Sequence, residues 1–221
     1  MNTNVRIHRY WRPFLVAALL LLASPWSVRA ETVRLGSPRA VRALNPGTAG
    51  AVVLAELPYV FSNPWSLAFL PDGRVLVTER EGRLLLVDGA SSVPVAGLPK
   101  VAPAGQGGLL DIALHPRFAG NRFVYFSFAE PGAGGASTAV YRARLEEGPG
   151  AAPALVEGRV IWRASRKTGA GVHFGSRLAF DAAGYLFVTT GERGDGKRAR
   201  DPADGQGKVI RLRDDGSVPA D

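Results

Sequence analysis

An imidazole and a carboxylate facing each other across two strands make a candidate general base, and His173 and Glu192 are spaced to do so. Residues 177–180 are apolar-rich, and residues 185–190 are β-branched and aromatic, so both stretches read as strands. Asp181-Ala182-Ala183-Gly184 between them reads as the turn, with Gly184 available for a positive φ. Taking Ala182-Ala183 as a two-residue loop centres the hairpin between them and puts His173 and Glu192 equally far from that centre. In an unbulged antiparallel pair they are then direct neighbours, with Cβ atoms roughly 4.5–5.5 Å apart. A carboxylate beside an imidazole fixes its tautomer and raises its basicity, as a general base requires. Gly171, Gly175 and Gly191 flank the pair and leave room for a flat group to approach the backbone. The same residues also suit a surface His–Glu pair at a strand end, with the glycines as bulges. At this level both readings stand.

The elements that must position the pair recur along the chain. Trp65-Ser-Leu-Ala-Phe-Leu70, a Pro71-Asp72-Gly73 turn, Arg74-Val-Leu-Val-Thr-Glu79, a Glu81-Gly82 turn and Arg83-Leu-Leu-Leu-Val87 predict a three-stranded meander. Leu67-Ala68-Phe69, Ile112-Ala113-Leu114 and Leu178-Ala179-Phe180 each end a strand before a turn, at offsets of 45 and 66 residues, and each is followed by a β-rich strand. The longer interval holds further predicted strands over 138–145 and 156–163. Units of this size are the signature of β-propeller blades, which the shared step before each turn favours over an ordinary sandwich of hairpins; on either reading the fold class is all-β.

Two Gly-rich segments interrupt the regularity, Gly105-Gln106-Gly107-Gly108 and Gly169 to Gly175. Both lead into the first strand of a blade and so face the axial channel, which puts Gln106 and His173 on one cavity. A Gln offers donor and acceptor to a quinone or a carboxylate, and equally suits a bulge that satisfies its own backbone. His115, in His-Pro-Arg-Phe, is placed as a structural turn residue. Arg193-Gly194-Asp195 spells an adhesion tripeptide that chance alone supplies. Asp195, Asp201 and Asp204 lack the spacing of a calcium hand loop. Phosphate-cradling, nucleophile-elbow, zinc and nicotinamide motifs are missing.

Residues 1–30 read as a secretory signal: Arg6, Arg9 and Arg12, an apolar run over 14–23, and Ser27-Val28-Arg29-Ala30 ending in small residues. The run is too short for a membrane span, so no stable span is expected after cleavage at Ala30. Four of the 27 Lys and Arg and none of the 19 Asp and Glu lie there, so cleavage lowers the net charge from +8 to +4. With no basic run interleaved with aromatics, nucleic acid is not an expected partner. The chain has no Cys, which suits export to a bacterial periplasm with stability supplied by the core. Residues 31–50, rich in Pro, Gly and Ala, read as a leader or linker, and residues 51–61 as a strand. Residues 51–221 are expected to form propeller blades.

Pro64-Trp65-Ser-Leu-Ala-Phe-Leu-Pro-Asp-Gly73, Gly105-Gln-Gly-Gly-Leu-Leu-Asp-Ile-Ala-Leu-His-Pro-Arg-Phe118, His173-Phe-Gly-Ser-Arg-Leu-Ala-Phe-Asp181 and Gly205-Gln-Gly-Lys-Val-Ile-Arg-Leu212 occur in this order. This combination resembles the soluble PQQ-dependent aldose sugar dehydrogenases, the glucose/sorbosone dehydrogenase family. The resemblance implies a six-bladed β-propeller holding pyrroloquinoline quinone (PQQ) and calcium at its axial mouth, of which this chain covers about the first three blades. It implies that His173 is the base for the anomeric hydroxyl of an aldose while hydride passes to the quinone. It also implies that Glu192 supports His173, where relatives can carry Asp, and that Gln106 contacts the cofactor. The implied enzyme is a periplasmic or secreted quinoprotein with a downstream electron acceptor. Its active-site Arg and most of its calcium ligands are expected in the half not present, so three blades alone would be inactive. A non-catalytic propeller fragment binding carbohydrate or a cell-surface partner is the alternative.

Overall fold

A computed structural model of the chain describes residues 40–44 and 52–221. The signal read over 1–30, and most of the leader over 31–50, lie outside the described residues. Strand β1 (Ala40–Leu44) falls inside that leader and pairs antiparallel with β2 (Val52–Glu56). The strand expected over 51–61 is therefore shorter; Pro58 has no backbone N–H with which to extend a ladder.

Three antiparallel sheets follow in sequence order. The first is a four-stranded meander of β3 (Pro64–Phe69), β4 (Val75–Glu79), β5 (Arg83–Asp88) and β6 (Ser91–Pro94). The second runs β7 (Leu109–Leu114), β8 (Phe123–Gly132), β9 (Gly135–Glu146) and β10 (Ala154–Arg163), with helix α1 (Phe118–Asn121) between its first two strands. The third has three strands, β11 (Gly175–Phe180), β12 (Leu186–Thr190) and β13 (Val209–Leu212), with helix α2 (Gly196–Arg200) before the last. The first strands β3, β7 and β11 are neighbours across the sheets, with β7 in the middle. That is the arrangement of three propeller blades with their inner strands toward a common axis.

The alternation of β8 explains the stacking. Val124, Phe126 and Phe128 point to one face and join Leu70, Leu76, Leu84 and Leu86 of the first blade. Tyr125 points to the other face and joins Leu178, Leu186, Val188 and Leu212 of the third. A strand buried on both faces reads as a continuous apolar run, and Phe-Val-Tyr-Phe-Ser-Phe is one.

Each inner strand carries a bulge at the same repeat position. Trp65 and Ser66 oppose Thr78, Leu110 and Asp111 oppose Ser127, and Ser176 and Arg177 oppose Thr189. A bulge leaves a backbone N–H without its ladder partner, and a hydroxyl on the next strand takes it each time. Ser66 N donates to Thr78 Oγ1 at 3.0 Å, Asp111 N to Ser127 Oγ at 3.0 Å, and Arg177 N to Thr189 Oγ1 at 2.9 Å. The first two hydroxyls then donate onward to the next blade, Thr78 to Leu110 O and Ser127 to Ser176 O, both at 2.7 Å. The bulge turns its second side chain sideways, which brings Ser66, Asp111 and Arg177 of three blades together. Asp111 Oδ1 accepts from Ser66 Oγ at 2.6 Å and from Arg177 Nη1 at 2.9 Å, while Oδ2 accepts from Leu178 N at 2.6 Å.

Candidate active site

The hairpin of β11 and β12 departs from the simplest reading in two places that cancel. Its loop is three residues, not two. Phe180 pairs with Leu186, Asp181 N donates to Tyr185 O at 3.0 Å, and Gly184 N returns to Asp181 O at 3.1 Å. Gly184 takes φ 87°, which lets a third residue complete the turn without steric cost. This moves the register by one. The bulge at Ser176 and Arg177 moves it back, so Gly175 pairs with Thr190. Extended two residues further on each strand, that register aligns His173 with Glu192, as expected, through a different route.

The pair is in contact: His173 Nδ1 and Glu192 Oε1 share a hydrogen bond. The carboxylate is an acceptor, so Nδ1 carries the proton and the Nε2 lone pair is left free. The His173 side chain is 52% exposed and Glu192 24%. The bond from His173 is the main cause holding the Glu192 carboxyl below its ordinary value, with the Gly194 N–H adding to it. That direction favours the ionised carboxylate, the form that orients the ring.

Gln106 arrives from the loop before β7, and the structure joins it to the pair. Its backbone N donates to Gly171 O at 2.7 Å. Its side-chain Oε1 accepts the His173 backbone N–H at 2.8 Å. One end of the amide thus staples the base's own peptide, while Nε2 makes no hydrogen bond among the described residues. The three sequence candidates form one cluster at the starts of two adjacent blades.

Two of the three flanking glycines do not leave space for a ligand, contrary to the first expectation. A Cβ on Gly191 would overlap the His173 carbonyl oxygen, and one on Gly175 would meet the Thr190 backbone at 2.6 Å. Their missing side chains serve the close approach of the protein's own strands. A Cβ on Gly171 would make an ordinary contact, 3.4 Å from Gly105 Cα.

The Arg193-Gly194-Asp195 tripeptide has no standing as an adhesion motif, since Arg193 is 4% exposed. Its guanidinium donates through Nη1 to Val172 O and through Nη2 to Ala170 O, and lies 3.3 Å from the centre of the Phe174 ring. Burial, with Arg198 nearby, pulls the guanidinium below its ordinary value. Only the burial of an Arg immediately after Glu192 distinguishes it, and burial is not legible in three letters.

His115 takes the structural role expected. It is buried against Tyr125 and Phe180. Its Nδ1 accepts from Arg117 N and Asn121 Nδ2, both at 2.9 Å, so the proton sits on Nε2, 3.4 Å from Asp214 Oδ2. Burial depresses its basicity, partly opposed by Asp214. Protons therefore bind the unfolded chain more readily. This contribution to stability is complete above pH about 6.5 and is lost as pH falls from there toward the folded value. The expected result is a stability loss of up to about 1.4 kcal/mol per pH unit in that window, absent in His115→Gln. Denaturant midpoints of both proteins between pH 7 and 5 check it; parallel curves would contradict it.

Asp195, Asp201 and Asp204 accept from backbone N–H groups of their own loop, Lys197 N, Ala203 N and Gln206 N at 3.2, 2.9 and 3.0 Å, and Asp204 also accepts from Ser165 Oγ at 2.9 Å. Among the described residues no group of three or more His, Cys, Asp or Glu is gathered as a metal site, and no helix is long and apolar enough to cross a membrane.

Comparison with known proteins adds relatives to this geometry. The glucose/sorbosone dehydrogenase family model matches residues 61–221. The Escherichia coli aldose sugar dehydrogenase YliI is 40% identical over 180 residues, covering 80% of this chain and 47% of its own. A solved glucose dehydrogenase shares 47% identity with TM-score 0.68, over 72% of this chain and 46% of that one. The PQQ-bound aldose sugar dehydrogenase of Streptomyces coelicolor shares 30% identity with TM-score 0.64, over 81% and 51%. The chain spans about half the length of the curated relatives it matches.

Proposed function

Because the chain belongs to the glucose/sorbosone dehydrogenase family, we propose that the full-length protein is a PQQ-dependent dehydrogenase that oxidises the anomeric hydroxyl of aldose sugars, with His173 as general base. The observation that carries this is a carboxylate-oriented imidazole with Nε2 free, joined to a Gln whose Nε2 is also free. Those two groups fit a flat, oxygen-rich cofactor and a hydroxylic substrate. Bound PQQ supplies a two-electron acceptor for the hydride leaving C1.

Gln106 is the residue of this chain that would hold the cofactor, through Nε2. His173 takes the hydroxyl proton at Nε2 as the C1–H bond breaks and the C1–O bond becomes a carbonyl. Glu192 stabilises the resulting imidazolium through Nδ1 and keeps the ring from turning. Calcium beside the cofactor and a downstream electron acceptor complete the reading. The export signal at residues 1–30 supports a periplasmic or secreted location.

The test is aldose-dependent reduction of an artificial acceptor by purified full-length protein given PQQ and calcium. No turnover with any aldose, together with retained carbohydrate binding, would replace this reading with the non-catalytic one. Glu192→Gln is expected to lose less activity than loss of the base. The loss should fall on kcat more than on KM, because the charge removed acts on the imidazolium that forms in the transition state. An unchanged kcat would show that Glu192 does not act on His173.

A further inference from the structure

We propose that Arg193 is a positioning residue for His173, its guanidinium fixing the strained loop from which the imidazole projects; this rests on the dehydrogenase reading above. His173 has φ 54°, a left-handed backbone that a residue with a Cβ avoids unless its surroundings impose it. The surroundings here can be named. Gln106 holds the His173 N–H, and Gly191 makes room for its carbonyl. Arg193 holds the residues on either side, with one fork on the carbonyls of Ala170 and Val172 and one face on the Phe174 ring. A single rigid group thus spans alternate residues 170, 172 and 174 and leaves 173 projecting between them.

The chemistry of the group argues for position rather than bulk stability. Arg193 is buried, makes no ion pair among the described residues, and its Nε has no partner. A buried cation without a carboxylate is unfavourable, and an apolar side chain would fill the space more stably. What an apolar residue cannot do is hold two carbonyls in a fixed plane. A lysine cannot either, since its ammonium is a point donor without a fork or a flat face. Glu192 and Arg193 are consecutive, so one short segment sets both the ring orientation and the backbone of the base.

The experiment uses full-length wild type, Arg193→Lys, His173→Ala and the double variant. Arg193→Lys should lower kcat about 10–100-fold, the scale of an ångström-sized misplacement, with a smaller change in aldose KM. In the His173→Ala background the same substitution should change kcat little, because its effect passes through the base. In cofactor-free protein, amide hydrogen exchange over residues 172–174 should be at least about tenfold faster in Arg193→Lys. Equal losses in both backgrounds, or unchanged exchange, would overturn the proposal. If Arg193→Lys does not fold, Phe174→Leu keeps both carbonyl bonds and should give the same pattern on a smaller scale; wild-type exchange and kcat there would also overturn it. The exchange arm needs no activity, so a wild type inert toward aldoses counts against the dehydrogenase reading and leaves Arg193 to be judged separately.

Discussion

His173→Ala in the full-length protein is expected to lose about 10²–10⁴-fold in aldose oxidation, the usual contribution of a general base. The loss should fall on kcat and kcat/KM together, because the interaction removed is made in the transition state. PQQ titration should be nearly unchanged, since the cofactor contact assigned here is the Gln106 amide. Magnitude separates the two readings of the pair. An exposed His–Glu pair with only a surface role contributes about 0–1 kcal/mol, so deleting it would move a rate by less than about tenfold. The geometry sides with the larger figure: the ring's Nε2 is free, Glu192 is ionised and bonded to the opposite nitrogen, and the backbone beneath the ring is strained. Near-normal turnover of His173→Ala with PQQ and calcium present would remove His173 from the mechanism.

What was legible in the sequence follows from how local its cause is. Blade strands were readable because apolar alternation and Pro-Asp-Gly or Gly-bearing turns are local signals, and the repeat of Leu67-Ala68-Phe69 in Ile112-Ala113-Leu114 and Leu178-Ala179-Phe180 set their phase. Strand β6, Ser-Ser-Val-Pro, was not readable, because its pairing with β5 is imposed by the sheet rather than by propensity. The His173–Glu192 contact was expected from a turn centre, yet it depends on a three-residue loop and a bulge whose shifts cancel. A pairing can be right while the register behind it is wrong. Gly175 and Gly191 were misassigned for a related reason: a missing side chain shows that something is near, and only the fold shows that it is the chain's own backbone. Arg193 lay outside reach, because its partners are backbone oxygens 21 and 23 residues away with no sequence signature.

The repeat also hides a polar junction, and Asp111→Ala tests what it holds. The Asp111 carboxylate, on the middle inner strand, is 2% exposed and takes hydrogen bonds from both neighbouring inner strands, through Ser66 on one side and Arg177 and Leu178 on the other. Removing it leaves the buried Leu178 N–H without an acceptor and frees the Ser66 hydroxyl. Hydrogen bonds to a charged group are worth about 1.5–3 kcal/mol each, and a stranded buried donor about 1–3. Arg177 is discounted, because its side chain is 64% exposed and water replaces the lost partner. Asp111→Ala should therefore destabilise the full-length protein by roughly 3 kcal/mol. Asp111→Asn should cost about a third as much, since its amide oxygen can still accept from Leu178 N while its amino group turns to Ser66 Oγ, a hydroxyl that can accept. Ser66→Ala, which keeps the Leu178 and Arg177 bonds, should fall near the Asn value. The order Ala, then Asn with Ser66→Ala, read from denaturant unfolding, identifies the Leu178 N–H as the group whose desolvation dominates. Equal losses for Ala and Asn would assign the effect to charge instead, and an Ala variant within about 0.5 kcal/mol of wild type would mean that the Asp111 junction contributes nothing measurable to holding the blades together.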